Sequence, residues 1–139
     1  MSHDPALQTF IVESRELLQA MESCLLSVEN EDDQSESINA IFRAAHTIKG
    51  SAGLFSLDDV VGFTHVLESV LDKVRNGSLV IDSDMVALLL ACGDHIAAFI
   101  EHLESGEAMS REERAHGEKL ANQLMAYLGG KAQAAESKQ

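Results

Sequence analysis

At 139 residues the chain is one domain's worth, able to bury roughly 70% of its unfolded surface and too short for a nucleotide-driven kinase or a two-domain dehydrogenase. A hydrophobic share of 45%, a single proline and 4% aromatic residues fit a folded helical protein and argue against a turn-rich all-β chain. Ten Lys and Arg against 23 Asp and Glu give a formal net charge of -13, a field that repels phosphate backbones and anionic lipid, so neither nucleic acid nor a membrane is an expected partner.

The first predicted helix opens at Pro5, which tolerates the first turn because its missing N–H would be unbonded there anyway. Leu7, Phe10, Ile11, Ser14, Leu17, Leu18, Met21, Leu25 and Val28 then recur at helical spacing. The residues before it have neither the basic region nor the apolar stretch of an export signal, so a cytoplasmic location is expected. Glu29 to Glu36 is acidic and polar and reads as a solvated connection. A second helix follows, with Ser35 or Ser37 as its cap, a stripe of Ile38, Ile41, Phe42, Ala45, Ile48 and Ala52, and an end near Leu54.

Ser56, followed three residues later by Asp59, has the form of a capping box for a third helix. Val60, Thr64, Leu67, Leu71 and Val74 carry that helix to the stop signal Asn76-Gly77. The fourth helix starts near Asp82 or Ser83 and is apolar nearly all round from Met85 to Leu103, as an element buried on most sides should be, until Glu104-Ser105-Gly106 ends it. Its longest unbroken apolar run, Met85 to Cys92, falls well short of the ~20 residues of a bilayer span. Ser110 to Glu113 is a better capping box and opens a fifth helix through Leu120, Leu124 and Leu128, stopped by Gly129-Gly130. Cys24 and Cys92 lie far apart among apolar neighbours and read as small buried hydrophobes without chemistry.

The expected architecture is all-α: an up-down antiparallel four-helix bundle with an additional C-terminal fifth helix. Residues 1–130 make the domain, and 131–139, too polar to bury anything, form a flexible linker.

The informative stretch is the second helix. At about 100° per residue, His46 lies on the shoulder of the Ile41, Ala45, Ile48 stripe, beside Phe42 and Lys49, at a boundary with solvent. Gly50 and Gly53 follow, each costing up to about 1 kcal/mol relative to Ala inside a helix. Two readings offset that cost: the glycines clear ground beside the imidazole for a bulky partner, or they permit tight helix packing. Lys49 projects from the same face, where an ammonium would stabilise negative charge arriving at the ring. A nucleophilic imidazole must also be neutral and fixed in one tautomer, which a carboxylate accepting its other N–H achieves. On the third helix His65 and Glu68, spaced i, i+3, are the candidates to face it.

Phe42 to Phe55 reads F-R-A-A-H-T-I-K-G-S-A-G-L-F, and Thr64 to Gly77 reads T-H-V-L-E-S-V-L-D-K-V-R-N-G. Both blocks resemble the histidine phosphotransfer (HPt) domain at the N-terminus of the bacterial chemotaxis histidine kinase CheA. The first carries the general phosphotransfer signature and the second the chemotaxis subgroup. The resemblance implies that His46 is phosphorylated on Nε2 by an ATP-bound kinase domain acting in trans. It further implies that Glu68 holds the Nδ1 tautomer, that Lys49 and His65 flank the ring, and that Gly50 and Gly53 let a response regulator dock, with Phe42 at its edge. The phosphoryl group then passes to an aspartate of a CheY- or CheB-like receiver, which brings its own Mg²⁺.

By the same resemblance, the chain itself holds no cofactor, ATP belonging to the kinase domain. It is a monomeric carrier in two-component signalling whose full-length protein belongs to a chemoreceptor cluster. Thr47 stands where Ser is frequent in the family and Ser56 where Gly is frequent. The kinase core, dimerisation and receptor-coupling segments of such kinases are missing from the sequence.

No second acid, metal cluster or Gly-rich loop surrounds His46, which suits a relay whose phosphohistidine must survive until its partner arrives. The acidic surface suits docking on an acidic receiver pocket poorly, so contact is expected through the apolar, glycine-cleared patch. Two other classes stay open. One is a receiver-binding adaptor of the same fold whose histidine is not phosphorylated. The other is a metal-binding bundle, for which Glu113 to His116 has the Glu-x-x-His spacing and His95 and His102 share a face.

Overall fold

In the computed structural model, residues 4–129 are described. Gly130 and the expected linker over 131–139 lie outside the described residues. The elements are α1 (Pro5–Ser27), a single 3₁₀ turn (Val28–Asn30), α2 (Ser35–Leu54), α3 (Asp58–Arg75), α4 (Ser83–Ser105) and α5 (Arg111–Tyr127), with no strand among the described residues.

Three helix starts follow the sequence signals. Asp4 accepts a hydrogen bond from the Ala6 N–H ahead of α1, and Asp82 Oδ1 accepts from the Met85 N–H at 2.9 Å ahead of α4. At α5 the capping box is complete: Ser110 Oγ accepts from the Glu113 N–H at 3.0 Å, and Glu113 Oε1 accepts from the Ser110 N–H at 2.9 Å. Two starts depart from expectation. Neither Ser35 nor Ser37 caps α2. Gln34 holds the cap position without a side-chain bond, Asp33 Oδ1 accepts from the Ser35 N–H, and Ser37 Oγ donates to Glu31 Oε1. The acidic connection supplies the acceptors instead, since an Asp two residues ahead of an N–H competes well for it.

The Ser56–Asp59 box is not formed either: α3 begins at Asp58 behind Leu57, with no side-chain cap. Ser56 instead sits at φ 56°, the left-handed conformation that turns the chain from α2 into α3. Glycine would reach that region without steric cost, whereas Ser56 adopts it as a non-glycine residue.

The core is one cluster drawn from every helix, with Ile11, Leu25, Ile41, Ile48, Leu67, Leu71, Met85, Leu89, Ile96, Ile100 and Leu124 buried almost completely. α2 packs between α1 and α3, α4 closes the bundle against α1 and α3, and α5 lies over the α3 and α4 edge. Side-chain pairs give α2 and α3 their antiparallel register: Phe42 meets Arg75 at one end, and His46 meets Glu68 further along. By length and composition alone α4 is apolar enough to cross a membrane, more so than its short unbroken run suggested. In the bundle it packs against α1, α3 and α5, but only 39% of that apolar stretch is buried, less than an element covered on most sides would be. Cys92 is fully buried there, and burial pushes its thiol up to about 12, far from a reactive thiolate.

The packing of α5 depends on one small residue. Gly117 lies against the His95 imidazole so closely that a Cβ would overlap it. That ring is wedged between Phe63, Phe99 and His116, and burial holds it below the ordinary imidazole range. Gly117→Ala should therefore destabilise the domain by about 1–3 kcal/mol, read as a lower urea midpoint with an unchanged m-value. An unchanged midpoint would mean that α5 is not anchored at this contact.

Candidate functional site

His46 stands on the outward shoulder of α2, as its angle to the apolar stripe required, with 62% of its side chain exposed. Across the α2/α3 seam Glu68 is nearly covered, its side chain 11% exposed. Its Oε2 lies 2.5 Å from His46 Nδ1, and its Oε1 lies 2.6 Å from Lys49 Nζ. Burial alone would raise the Glu68 carboxyl, but the hydrogen bonds from Lys49 and His46 outweigh it and hold the group below the ordinary glutamate range. An ionised carboxylate only accepts, so His46 Nδ1 must be the donor. In the neutral ring the lone pair then sits on Nε2, on the solvent side of the tautomer so fixed.

Lys49 departs in detail from its expected role. Its ammonium is engaged with Glu68 and does not stand free beside the ring. His65 is on the same helix as Glu68 and exposed, and its side chain makes no hydrogen bond or ion pair with His46, Lys49 or Glu68 among the described residues. Phe42 is half-buried and lies parallel to the His46 ring, with 8° between the planes and 6.1 Å between the centroids.

The structure gives the packing reading of the glycines no support. A Cβ built on Gly50 or Gly53 meets nothing within 4 Å, so helix packing requires neither. What the glycines leave is open ground beside His46, continued by Leu54 at 85% exposure. Gly50→Ala and Gly53→Ala should each stabilise the folded chain by up to ~1 kcal/mol, because a helical glycine forfeits about that much against alanine. Thermal and urea melts check this. A loss of stability would restore the packing explanation.

Two features escaped the sequence reading. The Arg75 guanidinium lies 3.9 Å from the Phe42 ring centroid and bonds Asp72 at 2.8 Å. Only the α2/α3 register brings positions so far apart together, although Phe42 and Arg75 both stand in the quoted blocks. Thr64, one turn ahead of Glu68, is fully buried, and its Oγ1 has no hydrogen-bond partner among the described residues.

The pieces of the metal alternative are otherwise occupied. His102 Nε2 meets Glu113 Oε2 at 3.0 Å, and His95 packs edge-on against His116. Among the described residues no group of three or more His, Cys, Asp or Glu side chains is arranged to hold an ion.

A covered carboxylate orienting one exposed imidazole on a four-helix scaffold defines a class, and residues 5–106 match the family profile of the Hpt domain: the chain belongs to that family. The match spans α1 to α4, and α5 lies beyond it. Chemotaxis protein CheA of Rhizobium meliloti (strain 1021) is 40% identical over 119 residues, covering 83% of this chain and 16% of that protein. CheA of Salmonella typhimurium is 39% identical over 100 residues, covering 72% of this chain and 15% of its own length. The chain thus spans about a sixth of the curated relatives it matches.

Among solved structures, the CheA phosphotransferase domain from Thermotoga maritima is 36% identical, with a TM-score of 0.68 over 74% of this chain and 98% of that one. The phosphorylated P1 domain of CheA3, in complex with CheY6 from R. sphaeroides, shares the fold at a TM-score of 0.77 and 24% identity, covering 88% of this chain and 98% of that one.

Proposed function

We propose that the chain is the phosphoryl carrier of a CheA-type chemotaxis kinase, with His46 as the group that is loaded and unloaded. The observation that carries this reading is the 2.5 Å contact between Glu68 and Nδ1 of an otherwise exposed ring, because it leaves Nε2 as the nucleophilic nitrogen. In loading, the Nε2 lone pair attacks the γ-phosphorus of ATP held by a kinase domain in trans. The P–N bond forms as the P–O bond to ADP breaks. Glu68 stays ionised and stabilises the positive charge that develops on the imidazole, and Lys49 keeps the carboxylate in place.

In unloading, an aspartate oxygen of a CheY- or CheB-like receiver attacks the phosphorus, and the Nε2 electron pair returns to the ring. The receiver brings the Mg²⁺ that shields the transferring oxygens. The structure named for the CheA3 P1 domain pairs a relative of this fold with a CheY, which supports a receiver as the acceptor. Gly50, Gly53 and Phe42 form the docking ground, and His65, one turn ahead of Glu68 on α3, flanks it. The working unit is residues 1–130, a cytoplasmic and monomeric domain.

Incubation with ATP and a CheA-type kinase core should give a stoichiometric, acid-labile and alkali-stable label that chases onto a receiver within the mixing time. A chain that binds receivers yet takes up no label would be the adaptor instead.

A further inference from the structure

The net charge of the chain is misleading about the face that works. From Ser37 to Leu57 there is no acidic residue, while Arg43 and Lys49 are present. On α3 the acids between Asp59 and Arg75 are Glu68, paired with Lys49, and Asp72, bonded to Arg75. A chain of net charge -13 therefore keeps a face around His46 on which Arg43, Lys49, Lys73 and Arg75 outnumber the acids Glu68 and Asp72. The face thus offers charge beside the apolar, glycine-cleared patch through which docking is mainly expected.

On that face Arg75 is the most built cation. Asp72 fixes one terminal nitrogen at 2.8 Å, and the guanidinium plane is braced on Phe42, 3.9 Å from its centroid. Phe42 lies parallel to the His46 ring one turn along α2, so the cation is braced on the same aromatic stack as the reacting imidazole. Its side chain remains 42% exposed, which leaves the other terminal nitrogen accessible to a partner. A lone surface arginine would be free to swing, whereas this one is pre-organised at a set position beside the transfer site.

We propose that Arg75, braced on Phe42 and Asp72, is a specificity-determining residue of the transfer reaction, supplying the cation that selects and orients a partner presenting carboxylates around its phosphoryl-accepting aspartate. This rests on the function proposed above. An acceptor whose nucleophile is an aspartate necessarily brings negative charge to this face. A charge at the rim of an interface acts on encounter and orientation more than on the chemical step. Asp72 serves by fixing the direction of the fork, which disfavours partners with the wrong placement of acids.

The test uses the whole chain and a CheY-type receiver domain, with two readouts. Binding of the unphosphorylated chain is titrated at several salt concentrations, and transfer from the phosphorylated chain is followed by rapid quench at varied receiver concentration. Arg75→Gln should raise both the dissociation constant and the KM for receiver about two- to fivefold and flatten their salt dependence, with the rate at saturating receiver retained. Arg75→Lys should restore the salt dependence but not the full affinity, since an ammonium steers without the planar fork. Arg111→Gln on α5 removes one cation elsewhere and should alter neither.

Unchanged binding and salt slope in Arg75→Gln would overturn the proposal, as would a fall confined to the saturating rate or to loading by the kinase core. Because the binding titration needs no phosphoryl group, it reports on Arg75 even if His46 proves not to be the carrier.

Discussion

With His46 replaced by glutamine, the chain should take up no phosphoryl group from ATP and a kinase core, and the loss should be complete rather than partial. Glutamine keeps the length and polarity of the side chain at an exposed position, so the bundle has no reason to change. What disappears is the only nitrogen lone pair that the site aims at solvent. Among the described residues, His65, His95 and His102 offer no substitute. His95 is buried and packed against Phe63, Phe99 and His116, and Glu113 engages His102 at 3.0 Å. His65 is exposed, but no carboxylate holds its tautomer among the described residues. Residual stoichiometric label on the variant, located by peptide mapping, would move the phosphoryl group to another histidine and remove the basis of the proposed function.

The second large effect falls on rate. Glu68→Gln should slow loading of His46 about ten- to a hundredfold, the usual cost of deleting the partner that orients a working imidazole. The amide is isosteric, so packing survives, but it can donate as well as accept and no longer dictates which nitrogen carries the proton. It also removes the negative charge that offsets the imidazolium formed when the P–N bond closes.

The same substitution carries a pH signature. Glu68 is depressed in the folded chain, so its contribution to stability is fully present above its unfolded value, near 4.5, and is lost as pH falls through the lower folded value. Glu68→Gln should therefore be less stable than the parent at neutral pH and converge with it in acid. Equal loading rates in parent and variant, or parallel acid melts, would take Glu68 out of the role.

Much of this was legible in the sequence because it rests on local rules. Helical periodicity placed His46 on a shoulder and capping chemistry located the starts of α4 and α5, while of the i, i+3 pair His65 and Glu68 only Glu68 meets the ring. What local rules could not give was register and priority. The sequence offered Ser56 as a cap, but the tight turn between α2 and α3 claimed it for a left-handed conformation. Lys49 looked free until the fold brought Glu68 to 2.6 Å from it. Whether Gly50 and Gly53 served packing or clearance depends on what stands opposite them, a property of three-dimensional space. Arg75 on Phe42 is invisible for the same reason, since the pair exists only once α2 and α3 are aligned.

The most direct measurement is a long-range nitrogen–proton NMR spectrum of uniformly ¹⁵N-labelled chain, recorded before and after phosphorylation by ATP and a kinase core. Before loading, His46 should appear as the neutral ring with a protonated Nδ1 and a bare Nε2. After loading, phosphorus coupling should fall on that Nε2 and on no other ring nitrogen. Phosphorus on Nδ1, or a free ring with its proton on Nε2, would contradict the orientation by Glu68 on which the whole reading depends.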